Sequence, residues 1–395
     1  MIDFTYYAPT EVVFGREAES HVARLVRKYG GRKILVHYGG GSAKRSGLLD
    51  KVCDQLAAEG IEYLLLGGVV PNPRLSLVRQ GIELCRREGI DLILAIGGGS
   101  AIDSSKAIAY GVPYEGDVWD FFEGKAKVAR ALPVGCVVTN PASGSEMSDS
   151  CVISNEETRD KRGVSTPFGR CKFAVSNPER TFTLPAWQTA AGVSDIMMHT
   201  MERYFSNDMD MTLTEAIAEA LLRTLLAAAP RALADPCDYQ ARTQIMWGGS
   251  LAHNGLTECG MTRDWACHKM EHELSAMFDV THGAGLSALW PTWARYVYRS
   301  NPERFVRFAV NVLGLQFDGS AESTALAGID AMEAFYRSIG MPVTITELLG
   351  RALTDDEAAE MARRCSHDGS ITVGRLRVLD RNDIFEIYKL ANVGK

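Results

Sequence analysis

The chain has 395 residues (43.2 kDa), 46% apolar and 23% charged, with 42 basic against 49 acidic side chains and a formal net charge of −7. That composition excludes a disordered chain, a collagen and a small disulfide scaffold, and the acidic balance argues against a nucleic-acid partner. No apolar run reaches the roughly 18 residues of a membrane span and no basic-then-apolar leader opens the sequence, so a cytoplasmic protein of two domains, with no membrane partner, is expected. The nine cysteines are scattered without a Cys-x-x-Cys pair, which reads as reduced thiols.

In chain order, residues 33–38 read as a buried strand followed by a glycine cluster, residues 62–66 as a second strand, residues 91–96 as a third, again followed by glycines, and residues 134–138 as a fourth. Amphipathic runs at 48–59 and 76–88 lie between them. Strands alternating with helices imply a Rossmann-like parallel sheet with covering helices. From about Leu184-Pro185 the strand signal fades and helical runs follow at 212–234, 239–254, 263–277, 302–313, 323–339 and 381–390. The expected domains are therefore 1–184, α/β, and 185–395, all-α, with a cleft between them as the natural place for a small molecule.

Three loops follow strands in the first half. Gly39-Gly40-Gly41-Ser42 and Gly97-Gly98-Gly99-Ser100 each precede a helical run, where glycine admits a close ligand and free helix N–H groups suit a phosphate. A tight turn also favours glycine, but two such turns on successive units favour a dinucleotide. Neither has the Gly-x-Gly-x-x-Gly spacing. The third loop, Thr139-Asn140-Pro141-Ala142-Ser143-Gly144-Ser145-Glu146, is rich in hydroxyls and would face the same crevice.

Eight histidines are present, three of them within fifteen residues: His268, His272 and His282. Asp195 and His199 stand four apart on a predicted helix, as do His268 and His272 on another, so each pair shares a helix face. His282 follows a break and is expected at a loop. A carboxylate with imidazoles suits iron or zinc better than calcium or magnesium. His21, His37, His253 and His367 lack such company and read as structural or exposed; Asp264 and Trp265 read as packing residues.

Together, Gly97-Gly98-Gly99-Ser100 with Asp103 and Lys106, Ala142 to Glu146, Asp195-x-x-x-His199, His268-x-x-x-His272 and His282-Gly283 resemble the iron-containing (group III) alcohol dehydrogenases. Tyr38 to Ser42, Pro71-Asn72-Pro73 and Asp264 to His268 are similar to its NADP-dependent butanol dehydrogenase and aldehyde reductase branch. The resemblance implies a dehydroquinate synthase-like architecture, an α/β nucleotide domain and an all-helical metal domain. It implies Asp195, His199, His268 and His282 as ligands of one divalent ion, Fe2+ first and Zn2+ second, and His272 near the nicotinamide as a catalytic proton relay. Gly98, Gly99 and Ser100 would hold the pyrophosphate, with Asp103, Thr139, Ser143, Lys161 and Asn72 along the cofactor. Gly40, Gly41 and Ser42 would meet the adenosine ribose. The absence of a carboxylate there favours NADP(H) over NAD(H), because that charge would repel a 2′-phosphate. The activity implied is hydride transfer between NADP(H) and a primary alcohol/aldehyde pair such as butanol/butanal, by a homodimer. A zinc polyol dehydrogenase and a dehydroquinate synthase-like lyase are the alternatives.

Overall fold

The computed structural model describes residues 2–208 and 210–393. The chain divides into two compact units, one of Tyr7–Leu184, the other of the residues up to Tyr6 together with those from Pro185 onward. The first residues thus pack with the second half, through a bond from the Ile2 N–H to the Gly260 carbonyl (3.2 Å); their extended apolar stretch carries no sequence signal for this.

The first unit holds a six-stranded, wholly parallel sheet. Its strands are β1 (Glu11–Phe14), β2 (Lys33–Gly39), β3 (Glu62–Val69), β4 (Leu92–Gly98), β5 (Val134–Asn140) and β8 (Phe173–Ser176), in the spatial order β1-β8-β5-β4-β2-β3. The remaining strands, β6 (Ser150–Asn155) and β7 (Asp160–Ser165), form a separate antiparallel hairpin. Leu92 to Ile96 of β4 are wholly buried, so this strand reads as a continuous apolar run rather than an alternation. The elements β1 and β8, and the polar hairpin, are additions to the four strands that apolar runs announce. Strand order reverses at β2, whose neighbours β3 and β4 lie on opposite sides. In parallel sheets ligands bind outside the carboxyl ends of strands at such a switch point. Since β5, β4 and β2 are neighbours, the three predicted loops stand side by side at that edge.

The second unit is helical. Ala186–Tyr204, Ala266–Phe278 and His282–Val297 carry the histidine and carboxylate positions, within a core of Phe205, Trp290, Trp293, Phe305 and Phe308. Two expectations are corrected here. The helix expected from residue 263 begins at Ala266, because Trp265 turns left-handed (φ 62°) and the Asp264 carboxylate accepts the Ala266 N–H (3.0 Å). His282, expected at a loop, is the first residue of a helix. The glycines behind it signal tight packing instead: a Cβ on Gly283 would press into the Ala191 carbonyl, and one on Gly285 would lie 2.8 Å from Glu271 Cγ.

Candidate functional site

In the α/β unit, Gly97 and Gly98 close β4 and the helix Gly99–Gly111 starts at once, so no free loop separates strand from helix. The first N–H groups of this helix therefore open directly at the strand end, an arrangement suited to an anion. Gly98 pairs with Asn140 of β5, and a Cβ on Gly99 would collide with Ser143 Oγ, so the second and third loops pack against each other. Asp103 braces this junction: its carboxylate accepts the Ser145 hydroxyl (2.5 Å) and the Val152 N–H (2.9 Å). Lys106, fully buried, donates to the Ser148 and Ser150 carbonyls. Lys161 pairs with Ser154 across the hairpin, and the Ser154 N–H donates to the Pro73 carbonyl (2.8 Å), which links the hairpin to the turn holding Asn72. Asn72 itself is left-handed (φ 55°) and buried. Thr139 lies one residue from the end of β5 and Ser100 in the first turn of the helix after β4.

At the end of β2, Gly41 precedes a single helical turn, Ser42–Arg45. Lys44 and Arg45 lie within this turn. Arg45 folds back so that its Nη1 occupies the space 2.6 Å from where a Gly41 Cβ would sit, and Lys44 Nζ lies 5.3 Å from the Tyr38 ring centroid. Gly40 faces open space.

In the helical unit, Asp195, His268 and His282 bring one ligand atom each within 4.8 Å of one another. Asp195 Oδ1 is the common point: His268 Nε2 and His282 Nε2 each stand 3.8 Å from it. That is too long for a hydrogen bond. It is close to the roughly 3.4 Å between ligands that each lie about 2.1 Å from one tetrahedral ion. Asp195 Oδ1 and His268 Nε2 are buried and have no hydrogen-bond partner among the described residues. Orphaned buried polar atoms are costly, and an O/N donor set converging on one point fits a divalent transition-metal ion. His199, the fourth expected ligand, lies outside this three-atom set. Its ring centroid is 4.5 Å from that of His268, and its Nδ1 donates to the carbonyl of Asp195 (2.9 Å), leaving Nε2 with the lone pair.

Burial acts to raise the Asp195 carboxyl, but His199, His282 and His268 around it outweigh burial and hold it well below the usual carboxylate range. Burial pushes His199 down to about 4, which keeps it neutral. For His268 burial is overcome by Asp195 and Glu202, and the imidazole is pushed up to about 9.

Several residues here carry no signal of their own in the sequence. Glu202 accepts the His268 N–H (3.0 Å), and Glu271 meets His282 Nδ1. Their spacing, Asp195 to Glu202 at i, i+7 and His268 to Glu271 at i, i+3, puts each on the ligand face of its helix. His253, taken as unaccompanied, has its ring 4.1 Å from that of His199. Trp265 packs edge-on to His268 (4.9 Å), with the Arg203 guanidinium over its ring (4.7 Å). Asp264 accepts backbone N–H groups from Arg375 and Leu376 as well as Ala266, so it fastens the start of this helix, as its reading as a packing residue implies. His272 shares a second cluster with Glu271 and His282.

The profile of the iron-containing alcohol dehydrogenases matches residues 9–178, and that of the C-terminal part of the Fe-containing alcohol dehydrogenase family matches residues 189–392. The chain is 42% identical over 390 residues to NADH-dependent butanol dehydrogenase A of Clostridium acetobutylicum, covering 98% of this chain and 99% of that one. It is 33% identical over 394 residues to the NADPH-dependent aldehyde reductase YqhD of Escherichia coli, covering 99% and 100%. The crystal structure of an NADH-dependent butanol dehydrogenase A from Thermotoga maritima superposes with a TM-score of 0.95 at 38% identity, over 99% of both chains.

Proposed function

On the premise that this chain belongs to the iron-containing alcohol dehydrogenase family, and so is a nicotinamide- and metal-dependent oxidoreductase of alcohols and aldehydes, we propose the roles of its residues and its preferences. Asp195, His199, His268 and His282 hold one divalent ion, Fe2+ before Zn2+. The observation that carries this is that the buried atoms Asp195 Oδ1 and His268 Nε2, neither of them in a hydrogen bond among the described residues, converge with His282. When bound, the ion supplies Lewis-acid polarisation of the substrate oxygen. The chain's own groups do the rest. Gly98, Gly99 and Ser100 bind the cofactor pyrophosphate through helix N–H groups, on a junction that Asp103 and Ser143 keep rigid. Asn72, Thr139 and Lys161 line the cofactor. His272 carries a proton to or from the substrate oxygen.

The substrate pair we propose is a primary alcohol and its aldehyde, such as butanol and butanal, in keeping with the names of the relatives at 42% and 33% identity. For the cofactor we propose NADP(H), because Gly40 places no carboxylate at the end of β2 and Arg45 and Lys44 gather cationic charge beside it. The name of the 42% relative supports NADH as the second reading. A homodimer is proposed from the family resemblance alone; β1 stands at one edge of the sheet. All nine cysteines are free thiols, which suits a reducing cytoplasm; no described helix is long and apolar enough to cross a membrane.

Metal analysis of anaerobically purified protein, paired with an aldehyde panel and both reduced cofactors, tests the reading. One divalent ion per chain and turnover of butanal are expected. His268→Ala and His282→Ala should lose the ion, whereas His272→Ala should keep it and lose turnover. Full metal in the first two variants, or metal loss in the third equal to theirs, overturns these assignments.

A further inference from the structure

His268 and His282 approach Asp195 in the same way and are backed in the same way. Each presents Nε2 to Asp195 Oδ1 at 3.8 Å. Each turns Nδ1 toward a buried glutamate, His282 toward Glu271 and His268 toward Glu202 (3.5 Å). The Glu271 carboxylate is itself fixed. It accepts the Ser275 hydroxyl from one turn further along its helix, and a side chain on Gly285 would lie 2.9 Å from its Oε1, so the opposing helix leaves it no other place. Glu202 is fixed by accepting the His268 backbone N–H (3.0 Å). Neither glutamate has an oxygen in the set that converges with Asp195 and His268.

From this we propose that Glu271 and Glu202 are positioning residues of the metal centre, an inference that rests on the ligand reading above. Glu271 accepts the Nδ1–H of His282, and Glu202 draws the Nδ1–H of His268 electrostatically; each favours the tautomer that leaves the lone pair on Nε2 and raises the basicity of that nitrogen. Glu271 is the stronger of the two, because its contact is a hydrogen bond while that of Glu202 is at ion-pair distance. A histidine without such a partner can rotate or carry its proton on the wrong nitrogen, and losing one outer partner typically weakens metal binding roughly 10- to 100-fold.

The test is titration of the metal-free full-length protein with Co2+ and with Zn2+ in a competing chelator. It reads Kd and the visible Co2+ absorption band, with no turnover measured. Wild type comes first: failure to bind one ion per chain would overturn the ligand reading itself. Given wild-type binding, Glu271→Ala should raise Kd at least tenfold and shift the Co2+ band. Glu271→Gln, which keeps an acceptor oxygen but not the charge, should fall between. Glu202→Gln should weaken binding less than Glu271→Ala. Should Glu271→Ala not fold, as judged by circular dichroism of the metal-free form, Glu271→Gln decides with an expected rise of about fivefold. A Kd within twofold of wild type and an unmoved Co2+ band in the folded variant would overturn the positioning role while leaving the ligands in place.

Discussion

In the proposed reading, cofactor choice turns on single residues at the end of β2. Gly40 has no left-handed backbone, and a Cβ added to it would meet no atom within 4 Å, so a side chain enters without strain. Gly40→Asp should therefore fold as wild type and place a carboxylate where a 2′-phosphate would sit. The expected outcome is a ratio of kcat/KM for NADPH over NADH that falls at least tenfold, measured with butanal. An unchanged ratio would remove Gly40 from the ribose site. Gly283 is the opposite case. A Cβ there would lie 2.7 Å from the Ala191 carbonyl carbon, and backbone on a buried helix cannot give way. That contact lets the helix bearing His282 close on the helix bearing Asp195. Gly283→Ala should cost about 3 kcal/mol, the upper range for overpacking, and should lower metal content together with the unfolding midpoint. A variant with wild-type stability and metal would show that the two helices have room to spare. The candidate ligand residues were legible because Asp195 and His199, and likewise His268 and His272, stand four apart, with His282 close behind. Glu202, Glu271 and His253 were not, because an acidic residue on a helix reads as solvated until its burial is known, and His253 meets His199 only through the tertiary fold.

At the scale of elements, β2 is held to its neighbours by more than the ladder. His37 Nδ1 donates to the Leu66 carbonyl of β3 (2.7 Å), and its Nε2 accepts the Ser104 hydroxyl from the helix Gly99–Gly111 (2.8 Å). Burial pushes this imidazole from 6.5 down to about 4. The unfolded chain takes up the proton near 6.5 and the folded chain only near 4, so between those values stability falls as pH falls. At about 1.4 kcal/mol per pH unit, the drop from pH 7 to pH 5 amounts to about 2 kcal/mol from this residue. Urea midpoints at both pH values for wild type and His37→Gln measure it: the variant should lose correspondingly less stability on acidification, and equal losses would show that His37 is not the group involved. The buried apolar runs of β2, β4 and β5 announced themselves, since a strand covered on both faces needs no alternation. The four-residue β1 and the polar β7, Asp160–Ser165, did not; their pairing comes from β8 and from β6, not from their own composition.

For the molecule as a whole, every proposed metal ligand belongs to the unit that runs from Pro185, and none to Tyr7–Leu184. An ion present at about 1,000 times its Kd adds about 4 kcal/mol to what binds it. Stripping the ion with EDTA should therefore lower hydrogen-exchange protection in peptides beyond Pro185 and leave those of Tyr7–Leu184 unchanged. Equal loss in both units would mean that they unfold as one.

Because the residues up to Tyr6 belong with the helical unit, the α/β unit is an insert in it, entered at Tyr7 and left at Leu184. On the ribosome the insert can fold as soon as Leu184 emerges. Ile2 must wait for Gly260, whose carbonyl receives its N–H. From Ile2 that is roughly 250 residues of synthesis, on the order of 10–50 s at bacterial to eukaryotic rates. The helical unit, which needs both ends of the chain, is therefore the last part of the molecule to close.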